Sequence, residues 1–495
     1  MIISGEKTRN WRNLKTWRPY FIIFALGFLL YSQTLFFDLT YLDDNTLILD
    51  RQNVLADYKN IATIFSTDAF FSGTNFYYRP LLNLSFMIDA QFGGHHYFVY
   101  HLDNIILHII SVILVFVLLS EILTKKSLAF FLSLFFLVHP ALTQAVAWLP
   151  GRNDSLVAIF ILAAVLSLIS FSKRPRLLSL LAYTSFFFLA LLTKETAILF
   201  PLLVLAYFLS IGRRDQTQNT DRILIFVFSF LAGFIWLIMR SLAFSKENVG
   251  ILSAAWSIIN NLPNALVMGG KMILPFNLSV LPVSADSTLI YGIVALALLT
   301  IVLFFSRRKR YDYLFFGTVW FLVFFLPPFA ISNSAPYLLE HRLYLPLIGF
   351  LIILAEIDWI KEANWQNRKV LLAGTMLLIF FSILTLVQSR NFYDPMTFWQ
   401  AAVKTSPHSP LAQKNLGVMY YFSGDYIQAI NHDALALGLN PQEPMVHNNL
   451  GVIYMDQKKY READKEFKSE LEVNPGYDKT LDNLQTLYYR QKPLR

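Results

Sequence analysis

The feature that most constrains this chain is an alternation: apolar runs long enough to be helices in lipid, separated by short loops of which every second one is basic. Apolar runs begin near residues 19, 98, 127, 154, 177, 196, 222, 288, 312, 343 and 370. Irregular backbone and open sheet edges cannot face hydrocarbon, so each run is expected to be a helix, giving about eleven transmembrane helices. The basic loops are the N-terminal tail with Lys7, Arg9, Arg12, Lys15 and Arg18, then Lys125-Lys126, Lys173 to Arg176, Arg213-Arg214 with Arg222, Arg307 to Arg310, and Lys361 with Arg368-Lys369. Positive charge in short loops marks the cytoplasmic side, so the other loops and the C-terminus are expected outside. The N-terminal run, near residues 19–37, is long enough to span and does not read as a cleaved signal peptide.

Composition agrees. Of 495 residues, 55% are hydrophobic and only 15% charged, where a soluble domain carries about 25%. The net charge of +8 sits mostly in those loops and calls for no nucleic-acid partner. No cysteine is present, which excludes disulfides, thiolate metal sites and thiol nucleophiles.

The non-basic side collects the unusual polar residues. Asp43-Asp44 follows the first run and opens a loop over residues 38–97; Gly151-Arg152-Asn153-Asp154, Lys194-Glu195, an interrupted segment over 241–287 and Glu340-His341-Arg342 lie on the same side. Ionisable groups at the mouth of a span are costly and usually functional. Pro263, Gly269-Gly270 and Pro275 break the 241–287 segment, so it is expected to lie at the interface without crossing.

After residue 392 the chain turns polar and repeats itself. Asn415-Leu416-Gly417, Asn449-Leu450-Gly451 and Asn483-Leu484 recur every 34 residues, with Tyr420, Tyr454 and Tyr488, Ala429 and Ala463, and Pro441 and Pro475 in the same register. That step with small residues and a closing proline is the tetratricopeptide pattern, and so short a stack is expected to lean on the membrane domain.

These features together resemble a known family. Tyr41-Leu42-Asp43-Asp44, Tyr78-Arg79-Pro80-Leu81, His101 to His108, His139-Pro140-Ala141-Leu142-Thr143-Gln144, Gly151 to Asp154, Lys194-Glu195 and Glu340 to Pro346 occur in the order seen in the transmembrane and tetratricopeptide-repeat protein O-mannosyltransferases, of the GT-C class. The resemblance covers nearly the whole chain, although those proteins carry more repeats and a Glu where Gln144 stands. It implies an all-α polytopic bundle over residues 1–392 and a repeat α-solenoid over 393–495. It implies transfer of a hexose, mannose in that family, from a polyprenyl- or dolichyl-phosphate sugar to Ser or Thr hydroxyls of an acceptor protein, with Asp43 as base and Asp44 orienting it or the sugar.

The chemistry asks for cations at the leaving phosphate and a carboxylate at the acceptor hydroxyl. Arg79, Arg152 and Arg342 are the first choices for the phosphate, because guanidinium matches phosphate oxygens and stays charged. Snorkelling at helix ends is the bland alternative for each. Lys194, Glu340 and His139 are further candidates, and Lys194-Glu195 could instead be a self-neutralising pair. Asn104 and His108, one turn apart, either pack between helices or line the donor pocket. Ligand spacing for a metal is absent around His95, His96, His101 and His108, so no metal or other cofactor is expected beyond the lipid-linked sugar. A bacterial inner membrane is favoured over an endoplasmic reticulum. The competing reading is a non-catalytic membrane scaffold whose repeats recruit envelope or secretion partners.

Overall fold

The computed structural model describes residues 17–71, 77–215, 217–243, 251–330 and 338–491. Lys7, Arg9, Arg12 and Lys15 lie outside the described residues. The described residues are built from helices and the loops that join them.

Among the described residues six helices are long and apolar enough to cross a membrane: Arg18–Phe36, Tyr97–Ile122, Leu149–Lys173, Asn219–Ala243, Tyr311–Phe329 and Arg368–Phe392. A seventh span forms if Lys126–Leu137 and Pro140–Ala147, which meet at 52°, are taken together. The other four of the eleven expected runs are shorter helices: Leu177–Thr193, Glu195–Leu209, Ile290–Phe305 and Tyr344–Leu354. At 1.5 Å per residue, the last rises only about 16 Å against a core of about 30 Å. Hydropathy counts apolar residues but not the breaks that proline makes, and Pro140, Pro201 and Pro346 each sit at or near the start of a shortened piece. The 241–287 segment contains two ten-residue helices, Ile251–Asn260 and Leu262–Lys271, too short to cross.

The basic loops around Lys125, Lys173, Arg308 and Lys361 gather at one end of the bundle. Lys125 Nζ donates to the Ala363 carbonyl at 3.4 Å, Lys173 meets Glu121 at 2.5 Å, and Arg308 meets Glu362 at 2.6 Å. Arg310 and Lys361 converge on the buried carboxylate of Glu356.

Residues beyond 392 form paired helices. Pro410–Phe422 packs on Tyr426–Leu439, and Val446–Asp456 on Tyr460–Val473, one pair shifted from the next by the sequence step. This unit sits on the bundle. Phe398, Trp399, Ala402, Leu416 and Met419 share an apolar cluster with Phe37, Trp148, Val280 and Leu281, and Ser406 Oγ donates to the Leu281 carbonyl at 2.8 Å. His408 adds a contact to Asp286 at 2.6 Å.

Candidate active site

The turn after the first helix is held by Asp44, not by Asp43. Asp44 Oδ2 accepts from the Thr40 amide at 2.7 Å and the Thr40 hydroxyl at 2.9 Å, while Oδ1 accepts from the Asn45 amide at 3.1 Å. Asp44 is buried and caps the short helix Asn45–Leu49. Between Thr40 and Asp44, Tyr41 takes a left-handed φ of 59°, a strained conformation that the Asp44 clamp over-determines. The clamp leaves Asp43 half-buried and lining a cavity.

That cavity, of about 110 Å³, is lined by polar and charged residues from five distant stretches: Asp43, Arg79, Asp154, Lys194, and His341 with Arg342. Tyr77 and Trp148 supply aromatic wall. Burial pushes the Asp43 carboxyl up to about 6; the Asp44 charge adds to the rise, and Arg79 and Arg342 oppose it.

Arg79 is fixed by Glu195, whose Oε2 accepts from Nε at 3.1 Å and Nη2 at 3.0 Å and whose Oε1 accepts from the Tyr78 amide at 2.7 Å. Its guanidinium lies over the Tyr77 ring at 4.3 Å. The Asn153 amide, turned so that its nitrogen donates to the Thr193 carbonyl at 2.7 Å, accepts from Arg79 Nη1 at 3.2 Å. Lys194 meets Asp154 Oδ1 at 2.7 Å. Lys194 and Glu195 therefore do not neutralise each other: each closes on a partner from another helix.

His341 was not singled out by the sequence, and the structure places it in the wall. Its backbone amide and Nδ1 both lie near Gln144 Oε1, at 3.2 and 3.1 Å. Gln144 Nε2 is committed to the Val280 carbonyl at 3.1 Å, so Oε1 is the acceptor and Nδ1 carries the hydrogen. Nε2 then holds its lone pair 3.9 Å from Asp154 Oδ2. Burial and the charges of Lys194, Arg342 and Arg79 lower the His341 pKa well below the usual range, so the ring is neutral. Gly151 permits the approach of this turn, because a Cβ there would lie 2.3 Å from the Gln144 carbonyl oxygen.

Several candidates lie elsewhere. Arg152 is fully buried, paired with Asp89 at 2.5 Å and Asp103 at 3.4 Å, bonded to Asn104 Oδ1 and the Tyr100 carbonyl at 2.7 Å each, and stacked on Phe86. It ties two helices together and does not reach the cavity lining. Asn104 gives its amide to the Val146 carbonyl at 3.0 Å. His108 bridges the Tyr344 hydroxyl at 2.7 Å and the Leu137 carbonyl at 3.1 Å, and His139 contacts the Met272 carbonyl at 3.0 Å. Glu340 accepts from Lys271 at 2.7 Å and the Ser279 amide at 2.9 Å in the interior. All four pack the bundle behind the site. The signal that could have separated Arg152 is the pair of acids Asp89 and Asp103, near enough in number to face it from adjacent helices. His341 stood between two residues already chosen.

On its far side Arg342 borders an apolar crevice formed by Met268, Phe325, Pro328 and Phe329. The arrangement can hold an anion between Arg79 and Arg342 with a base at Asp43.

Several known proteins are similar to this chain in sequence. Over 436 residues, covering 73% of this chain, 24% of positions are identical to the protein O-mannosyl-transferase TMTC1 of Homo sapiens; over 424 residues and 81% of the chain, 25% are identical to the protein O-mannosyl-transferase F38B6.6 of Caenorhabditis elegans. The chain is a distant homologue of the protein O-mannosyl-transferases. A stretch of 217 residues, 42% of the chain, is 35% identical to the protein O-mannosyl-transferase Tmtc1 of Drosophila melanogaster. The chain spans 48% of the length of the human relative, 59% of the nematode one and 25% of the fly one. No protein-family model matches the chain.

Proposed function

We propose that this chain is an integral-membrane glycosyltransferase that moves a hexose, mannose by analogy with its relatives, from a polyprenyl- or dolichyl-phosphate to a Ser or Thr hydroxyl. The observation that carries the reading is that Asp43 shares one cavity, and one electrostatic field, with Arg79 and Arg342. The acceptor hydroxyl gives its proton to Asp43 as its oxygen attacks the anomeric carbon, and the bond from that carbon to the phosphate oxygen breaks. The electron pair leaves on the lipid phosphate, whose charge Arg79 and Arg342 stabilise. A carboxyl lifted toward 6 is a better base at neutral pH than an unperturbed one, yet still ionised. Asp44 holds the turn, and Glu195 and Asn153 hold Arg79, so the charges are arranged before substrate arrives.

In the same reading the basic end of the bundle faces the cytoplasm, the cavity opens on the other face of the membrane, and the helix pairs after residue 392 are tetratricopeptide repeats that present the acceptor. Trp148 supports this, because it walls the cavity and belongs to the apolar cluster beneath the repeats. The test is hexose transfer from a radiolabelled polyprenyl-phosphate donor to a Ser/Thr peptide, with Asp43→Asn expected to abolish it. A non-catalytic scaffold would leave both proteins inert and needs none of these converging charges.

A further inference from the structure

The 34-residue step supplies an internal comparison. In the second helix pair Phe467 packs directly on Gly451, where an added Cβ would lie 2.5 Å from Phe467 Cε1. One step earlier Gly451 becomes Gly417, and Phe467 becomes Asp433, whose Oδ1 would lie 2.9 Å from a Cβ on Gly417. Where an aromatic ring would fill the space, the first pair has a hole of about 120 Å³ with a carboxyl at its base. Asp433 is fully buried; the Asn449 side chain approaches its carboxyl, but neither oxygen has a hydrogen bond of good geometry among the described residues. The nearest cation, Lys414, is engaged by Glu443 at 2.9 Å and the Pro444 carbonyl at 3.0 Å.

A buried carboxyl with no well-formed hydrogen bond is costly, and so is the cavity beside it. The hole opens between the first helices of the two pairs, Pro410–Phe422 and Val446–Asp456, through Val418, Tyr421, Asn449 and Val452, all partly exposed. Its depth is acceptor-rich and its walls are apolar. We propose that this hole is a binding pocket for a lysine side chain of a polypeptide lying across these two helices, its methylene stem against Val418 and Val452 and its ammonium on Asp433. A compact point charge on an apolar stem matches a narrow pocket with a single carboxyl, whereas a planar guanidinium needs a wider two-pronged seat. The pocket does not depend on the transferase reading.

The probe is a fluorescein-labelled nonapeptide of Gly and Ser with one central lysine, compared with the same peptide carrying Nε-acetyl-lysine, titrated by anisotropy against the full chain in nanodiscs. The wild type is expected to bind the lysine peptide at least about tenfold tighter. Asp433→Asn and Asp433→Phe should each erase that difference, and Asp433→Phe, which restores the ring found one step later, should melt no lower than the wild type. Equal binding of the two peptides by the wild type would overturn the proposal. So would a lysine preference that survives in both variants, since surface charge would then be its source.

Discussion

Glu195 and Arg79, 116 residues apart in the chain, meet in a two-pronged contact at 3.0 and 3.1 Å, and the same carboxylate holds the Tyr78 amide. One side chain thus sets both the backbone entering the Pro80–Gly93 helix and the guanidinium proposed to hold the donor phosphate. Glu195→Gln keeps the shape and removes the charge. It is expected to lower kcat/KM for the lipid donor by at least about tenfold, because Arg79 gains freedom where orientation matters. Initial rates against donor concentration check this.

With burial pushing the Asp43 carboxyl up to about 6, transfer should rise with pH through that value and level off above it, since only the ionised carboxylate accepts a proton. Stability should run the other way. The folded state binds a proton more tightly than the unfolded chain between its ordinary value and about 6, so this group's effect is to make the protein less stable as pH climbs through that window. Asp43→Asn is therefore expected to lose activity and to melt higher at pH 7, by thermal unfolding in detergent.

Arg152 is expected to behave as structure. Arg152→Leu leaves Asp89 buried without its partner and should cost about 3–5 kcal/mol, the range for breaking a buried pair from one side. The double change with Asp89→Leu should recover part of that loss. Thermal unfolding of the single and double variants separates the two outcomes, and a single variant as stable as the wild type would return Arg152 to the list of ligand contacts.

The difference between Arg152 and Arg79 shows how far the sequence could be read. Charges in an apolar chain announce themselves, so Asp43, Arg79, Lys194 and Arg342 stood out, and the structure brings all four to one cavity. What the sequence does not carry is which charge meets which. Asp89 takes Arg152 out of the site, Lys271 takes Glu340, and backbone carbonyls take His108 and His139. His341 and Asp154 enter because Gln144 and Lys194, from other helices, turn them inward. The helices were legible as apolar runs, yet Tyr344–Leu354 and the bent Lys126–Ala147 pair fall short of straight spans where proline breaks the ladder.

Gln144 offers a further check. Gln144→Leu removes the acceptor for the His341 amide and ring, leaving buried donors unpaired at about 1–3 kcal/mol, and frees the ring to carry its hydrogen on Nε2, toward Asp154. Lower stability together with a reduced rate at saturating donor is expected, whereas Gln144→Glu should retain the rate because it keeps an acceptor in place. Melting curves and saturating-donor rates, taken side by side, report both effects.

The most direct measurement is single-turnover transfer of a labelled hexose from polyprenyl phosphate to a Ser/Thr peptide by the purified full chain, run for the wild type, Asp43→Asn and Arg342→Gln under matched folding controls. Transfer by the wild type, none by Asp43→Asn, and a raised donor requirement in Arg342→Gln is the expected result. Equal transfer by the wild type and Asp43→Asn would contradict the assignment of this cavity as the catalytic centre.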